Sequence, residues 1–166
     1  MNVSSFNLQT KQSQKAVGQA YLKFQLDPKT QAALSMDSAQ EVLIVPASRL
    51  TYMPNTPSCV LGLLNQRSRV YWVVDLPQLL EMQPLPADSQ QYNIAIVRVG
   101  NAVLALAVLN VKGVTRFLSE AIQSPIGTVA AGLTPYLRGL VPQEREILLV
   151  LEPEAILNSS LLNANS

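Results

Sequence analysis

A mostly-β fold of small barrels carrying short helices is what this sequence predicts, on three grounds. Short runs of β-branched and aliphatic residues recur at close spacing along the chain. Eleven prolines and seven glycines punctuate them, so turns are frequent. Only two places combine proline with apolar residues in a way that opens a short helix, and the strands do not alternate with long helical patterns as a βαβ sheet requires.

The elements follow in order. The first twenty residues are rich in Asn, Ser, Gln and Lys and have no apolar period, which predicts a loose tail over 1–19. Tyr21-Leu22-Lys23-Phe24-Gln25-Leu26 alternates apolar and polar side chains, and Asp27-Pro28-Lys29 then supplies a turn, so a half-buried strand begins near Ala20 and a second near Ala32. Glu41-Val42-Leu43-Ile44-Val45 is a strand halted by Pro46, and Val70-Tyr71-Trp72-Val73-Val74 is another. Pro77 suits a first helical turn, where its missing N–H is not needed, so Leu76 to Met82 reads as a short helix with Asp75 as its cap. Pro84, Pro86, Asp88 and Ser89 form a polar connector over 83–92, a candidate boundary between lobes.

Beyond the connector, Ile94 to Val99 and Ala102 to Val108 flank Gly100-Asn101, the signal of a tight hairpin. Val111 to Phe117 continues the sheet, and Ser119 to Pro135, broken by Pro125, Gly127, Gly132 and Pro135, reads as irregular. Ile147 to Leu151 is the last strand, and Pro153 opens a terminal helix through Ala155, Ile156 and Leu157.

Composition closes off several functions. The 166 residues hold 48% hydrophobic and 14% charged side chains, ample for a core and too little charge for disorder. The net charge is +1 and the twelve Lys and Arg form no cluster of the phosphate-binding kind, so no nucleic-acid partner is expected. The N-terminus lacks the basic start and apolar run of a signal peptide, which predicts a cytoplasmic chain. Ala102 to Val111 is about half the ~20 residues of a membrane helix, so no membrane insertion is expected. One cysteine and no histidine leave neither an internal disulfide nor the usual metal ligand sets, and no cofactor motif is present, so no metal and no cofactor are expected.

Catalysis is equally constrained. Without histidine, Ser-His-Asp and Cys-His sites cannot exist. Cys59 reads as a small buried thiol, Asp75 as a helix cap, and Glu144 and Glu146 beside Arg145 as a solvated charge cluster. The chain is therefore expected not to be an enzyme.

From Pro54 the sequence runs Pro54-Asn55-Thr56-Pro57-Ser58-Cys59-Val60-Leu61-Gly62-Leu63-Leu64-Asn65-Gln66-Arg67-Ser68-Arg69-Val70-Tyr71-Trp72-Val73-Val74-Asp75-Leu76. This resembles the signature of the CheW family, adaptors that join chemoreceptors to the CheA histidine kinase. That signature is P-x-x-P-x-x-V-x-G, two hydrophobic residues, then N-L-R-G-x-V-x-P-V-V-D-L. The two prolines, Val60, Gly62, Asn65, Arg67, Val70, Val73, Val74, Asp75 and Leu76 fall in register. Glu41-Val42, the Gly100-Asn101 hairpin and Tyr136-Leu137-Arg138-Gly139 look like further family elements, and coverage runs from Ala20 to Leu157.

The resemblance implies two packed five-stranded SH3-like barrels, interleaved in sequence over 20–162. It also implies a non-catalytic adaptor in a two-component system controlling flagellar, pilus-driven or light-directed movement. Its partners would be the regulatory domain of a CheA-type kinase and the coiled-coil tip of a methyl-accepting chemoreceptor. Gly62 permits close backbone approach or positive φ where the chain turns into the loop, and Asn65 can bond its own backbone in a turn. Arg67, with five donors in a planar fork, is either a contact residue or bonded to nearby loop carbonyls. The candidate partner-binding residues are Arg67, Glu41, Gln66, Ser68, Trp72 and Asn65. Several are departures, because Gln66 stands where the family has Leu, Ser68 where it has Gly, and Trp72 where it has Pro. Leu109 replaces an Asp of the second lobe. Tyr71 and Trp72 alternate in facing, so an exposed one would be a contact anchor. The alternatives are a small barrel binding an apolar ligand and an enzyme built on paired carboxylates, each needing polar groups that converge on a cleft.

Overall fold

The computed structural model describes residues 18–124 and 129–162, and the expected tail lies almost entirely outside them. Eleven strands form two sheets among these residues. β1 (Gln19–Asp27) and β2 (Thr30–Ser35) make an antiparallel hairpin. Asp27 Oδ1 accepts from the Lys29 N–H at 2.8 Å, which closes the turn that Pro28 pre-shapes. The chain then crosses through Met36–Ser38 into β3 (Ala39–Pro46), a 3-10 turn (Ala47–Arg49) and a two-residue β4 (Leu50–Thr51). β5 (Val60–Gln66) and β6 (Arg69–Asp75) follow, then helix α1 (Leu76–Leu79), β7 (Gln91–Val99) and β8 (Ala102–Val108).

Leu109 is the second crossover, leading into β9 (Asn110–Phe117). Two 3-10 turns (Ser119–Ala121 and Thr134–Tyr136) precede β10 (Leu137–Pro142), β11 (Ile147–Leu151) and helix α2 (Pro153–Leu157). The five-stranded sheet has the order β10-β11-β2-β1-β9 and the six-stranded sheet β3-β7-β8-β6-β5-β4. β11 pairs with β2, and β6 with β8, in parallel; the other ladders are antiparallel.

The mostly-β class with short helices holds. One lobe is made from both ends of the described chain and the other from its middle. The segment 83–92 is not a boundary between them: it joins α1 to β7, and β6 and β7 belong to the same six-stranded sheet. Its composition is that of a surface loop, which sequence alone does not distinguish from a linker. α1 is shorter than the expected Leu76–Met82. It ends where Glu81 turns to φ 61°, with Met82 N–H donating to Pro77 O and Glu81 N–H to Gln78 O. That is a Schellman ending with glutamate at a position usually filled by glycine.

Among the described residues three apolar cores hold the lobes. One fills the interior of the six-stranded sheet with Val45, Leu64, Val73, Ile94 and Ile96. Another fills the five-stranded sheet, where Tyr21 stacks on Phe117 at a centroid distance of 4.0 Å. The largest lies between the sheets and draws Leu22, Phe24 and Leu26 from β1, Leu104 and Leu106 from β8, Leu76 and Leu79 from α1, and Ile156 from α2. The alternation read in Tyr21–Leu26 is what places one face of β1 in each of two cores. Tyr136 and Ser159 hydroxyls meet at 2.6 Å and tie the segment after α2 to the 3-10 turn before β10.

Glu146 is not a free surface charge as expected. It receives Lys23 Nζ at 2.8 Å, and its side chain is only 31% exposed.

Candidate partner-binding site

The signature residues divide into those that shape the β5–β6 hairpin and those that it presents. Gly62 sits at a bulge, where the register shifts between Val60 and Gly62 against β6, and takes φ 147°. A Cβ there would lie 2.5 Å from the carbonyl oxygen of Thr51 on β4, so the glycine serves close backbone approach inside a strand and not a turn into the loop. Asp75 caps α1 as expected. Its Oδ1 accepts from Gln78 N–H at 3.0 Å and its Oδ2 from Leu85 N–H at 2.9 Å, so one carboxylate fixes both the helix start and the loop beyond. The group is buried, and desolvation raises its pKa against the opposing pull of those two N–H donors. Cys59 is buried under the same strands, and desolvation, with a smaller contribution from the Asp75 charge, raises its thiol pKa.

The turn itself is Arg67-Ser68, two residues between the paired Gln66 and Arg69. Both have positive φ, 53° and 65°, the pattern of a type I′ hairpin turn that Asn-Gly normally fills. Asn65 is therefore not in the turn; it lies in β5, exposed, opposite Val70. Among the described residues Arg67 does not bond the loop carbonyls that were one of its two alternatives. Its Nη2 reaches Glu41 Oε2 on β3 at 3.3 Å while its side chain stays 78% exposed. The arginine that does bond a carbonyl at this end is Arg49, which is not among the residues picked from the sequence. Its Nη2 donates to Asn65 O and, at 3.1 Å, to Gln66 Oε1. No local signal marks Arg49, because its partners lie 16 and 17 residues on, across β4, the segment 52–59 and most of β5.

Five of the six candidate residues thus gather at this end of the hairpin: Glu41, Asn65, Gln66, Arg67 and Ser68. Trp72 stands apart on the outer face of β6, opposite Leu63 and 43% exposed, whereas Tyr71 turns inward. Trp72 lines a groove of about 440 Å³ with Pro57, Val60, Leu104 and Leu157. Among the described residues no charged side chain lines that groove, so the small-ligand alternative finds only Asn55, Thr56 and the Trp72 indole N–H to orient a guest. For the paired-carboxylate alternative, both Asp75 oxygens are already committed to backbone N–H groups.

Comparison with known proteins decides the family. The family model described as CheW-like domain matches residues 20–161. The chain belongs to the CheW-like domain family. A protein named as a probable chemotaxis protein CheW, from Rhizobium etli, is 30% identical over 112 residues, spanning 66% of this chain and 70% of that protein. The crystal structure of the scaffolding protein TtCheW from Thermoanaerobacter tengcongensis is similar with a TM-score of 0.70, covering 81% of this chain and 89% of that one. At 21% identity this second likeness speaks for the CheW-like fold alone. No helix among the described residues is long and apolar enough to cross a membrane.

Proposed function

We propose that this CheW-like domain is a non-catalytic scaffold of chemotaxis signalling, acting in the cytoplasm to couple chemoreceptors of the methyl-accepting type to a CheA-type histidine kinase. The observation that carries the reading is the family match across 20–161, which takes in both lobes and every signature residue. The site chemistry agrees, because Gly62 and Asp75 are engaged in shaping the fold and the hairpin end offers hydrogen-bonding and charged groups in an exposed, preformed setting. Arg67, Glu41, Gln66, Ser68, Asn65 and Trp72 are the residues assigned to partner contact.

The test is to mix the protein with the regulatory domain of a CheA-type kinase, and separately with a chemoreceptor tip, from the same source. Binding tighter than roughly 50 µM is expected. Absence of binding to both partners by a folded protein would sink the coupling role. Arg67→Ala supplies the finer arm. An ion pair this exposed adds little to stability, on the order of 0.2–1 kcal/mol, so the variant should lose partner affinity with Tm nearly unchanged. A lowered Tm with unaltered affinity would make Arg67 structural.

A further inference from the structure

We infer that the end of the β5–β6 hairpin docks an acidic protein face, with Arg67, Arg69 and Arg49 receiving its carboxylates. This rests on the scaffold reading above and specifies the chemistry of one partner surface. Three arginines belong to this end of the hairpin: Arg67 in the turn, Arg69 directly after it, and Arg49 held against Asn65 and Gln66. Among the described residues the one carboxylate within ion-pair distance of any of them is Glu41, on Arg67 alone. Arg69 is exposed and makes no ion pair among the described residues.

The geometry is that of a receiver. A guanidinium carries five N–H donors, and the Arg67 side chain, tethered through one nitrogen, remains 78% exposed. Arg49 is fixed by two acceptors and loses little freedom on meeting a third. The two-residue turn keeps Arg67 and Arg69 at a set spacing. A carboxylate face suits this site better than a nucleic-acid backbone. Glu41 and Asp37 line the same basin as Arg67, so incoming carboxylates are received chiefly by Arg69 and Arg49, which do not line it, and a chain of net charge +1 lacks the field that a continuous phosphate backbone needs.

Charges at a rim act mainly on association rate and its salt dependence. The experiment measures the association rate of the full chain with the kinase regulatory domain and with the receptor tip at 20 and 300 mM NaCl. It compares the wild type, Arg69→Glu, Arg69→Ala, and Lys29→Glu as a control of equal charge change on the β1–β2 turn. For one partner the wild-type rate should fall about tenfold across this salt range, and Arg69→Glu should lower the low-salt rate by about tenfold. Arg69→Ala should fall between, and Lys29→Glu should stay within about twofold of wild type. Wild-type binding to both partners that is indifferent to Arg69 and to salt overturns this inference and leaves the scaffold reading intact. Wild-type failure to bind either partner overturns the scaffold reading and this inference with it. Equal loss in Lys29→Glu reduces the effect to net charge, and binding of a short DNA duplex with the same Arg69 dependence replaces the protein face by a general anion site; either result overturns the assignment.

Discussion

Replacing Gly62 by alanine tests whether the glycine of the signature is architectural. Two costs can be worked from its surroundings. A side-chain-bearing residue at φ 147° occupies backbone space that is almost glycine-only, a strain of about 1–3 kcal/mol. The new Cβ would also stand 2.5 Å from Thr51 O and 3.0 Å from Thr51 C, and neither atom is the end of a flexible side chain. β4 must therefore retreat, which loosens a ladder of only two residue pairs and forfeits about 1 kcal/mol per hydrogen bond. Against this, alanine restricts the unfolded chain and returns about 0.4–1 kcal/mol. The net expectation is a loss of about 2–4 kcal/mol, or roughly 5–15 °C in Tm for a chain of this size. Urea and thermal melts followed by far-UV circular dichroism would measure it. A loss under about 1 kcal/mol with the fold unchanged would refute the close-approach account of Gly62.

Ser68→Gly should stabilise by about 0.5–1 kcal/mol, because it relieves a positive φ of 65° at a type I′ turn; a drop in Tm would show that Ser68 makes a contact the turn needs. The raised pKa of Asp75 makes the native state take up a proton more readily than the unfolded chain, so this group's stability term is present below its ordinary value of 3.8 and is lost as pH rises through the elevated native value. Asp75→Asn lacks that term, so the stability difference between wild type and variant should shift in favour of wild type as pH falls from 7 toward 3.5; the opposite slope in paired urea melts would contradict it. Cys59 should resist thiol reagents in the native protein and react fully in denaturant, since it is buried with a raised pKa; prompt native labelling at pH 8 would refute this.

Local patterns made some elements legible and concealed others. The period-two alternation of Tyr21–Leu26, the Gly100-Asn101 hairpin and the Pro77 helix start are each encoded within a few residues, and each is present. β10 was hidden because Gly139 and Arg138 interrupt its apolar run, yet Gly139 is needed where Gln123 crosses, with a Cβ position 2.5 Å from Gln123 O. β5 was obscured by Gly62, which reads as a turn in sequence and is a bulge in the sheet. The site was legible only by residue type. Arg67 stood out, but its partner Glu41 belongs to a different ladder, and Arg49 carried no local mark. Lys23 and Glu146 lie 123 positions apart, and no pattern within either segment announces the pair.

The division of strands between the sheets also sets a timetable for biosynthesis. The six-stranded sheet is encoded continuously by residues 39–108, so all of its ladders can close soon after β8 leaves the ribosome. β1 and β2 are made before it but find their outer neighbours only with β9 and β11, the latter ending at Leu151. At roughly 5–20 residues per second, one edge of the first hairpin waits about 4–16 s for β9 and the other about 6–23 s for β11. Exposed edges of this kind recruit foreign strands. A nascent chain halted after β8 should therefore carry one closed lobe and one adhesive hairpin, making it more dependent on chaperones than the finished protein.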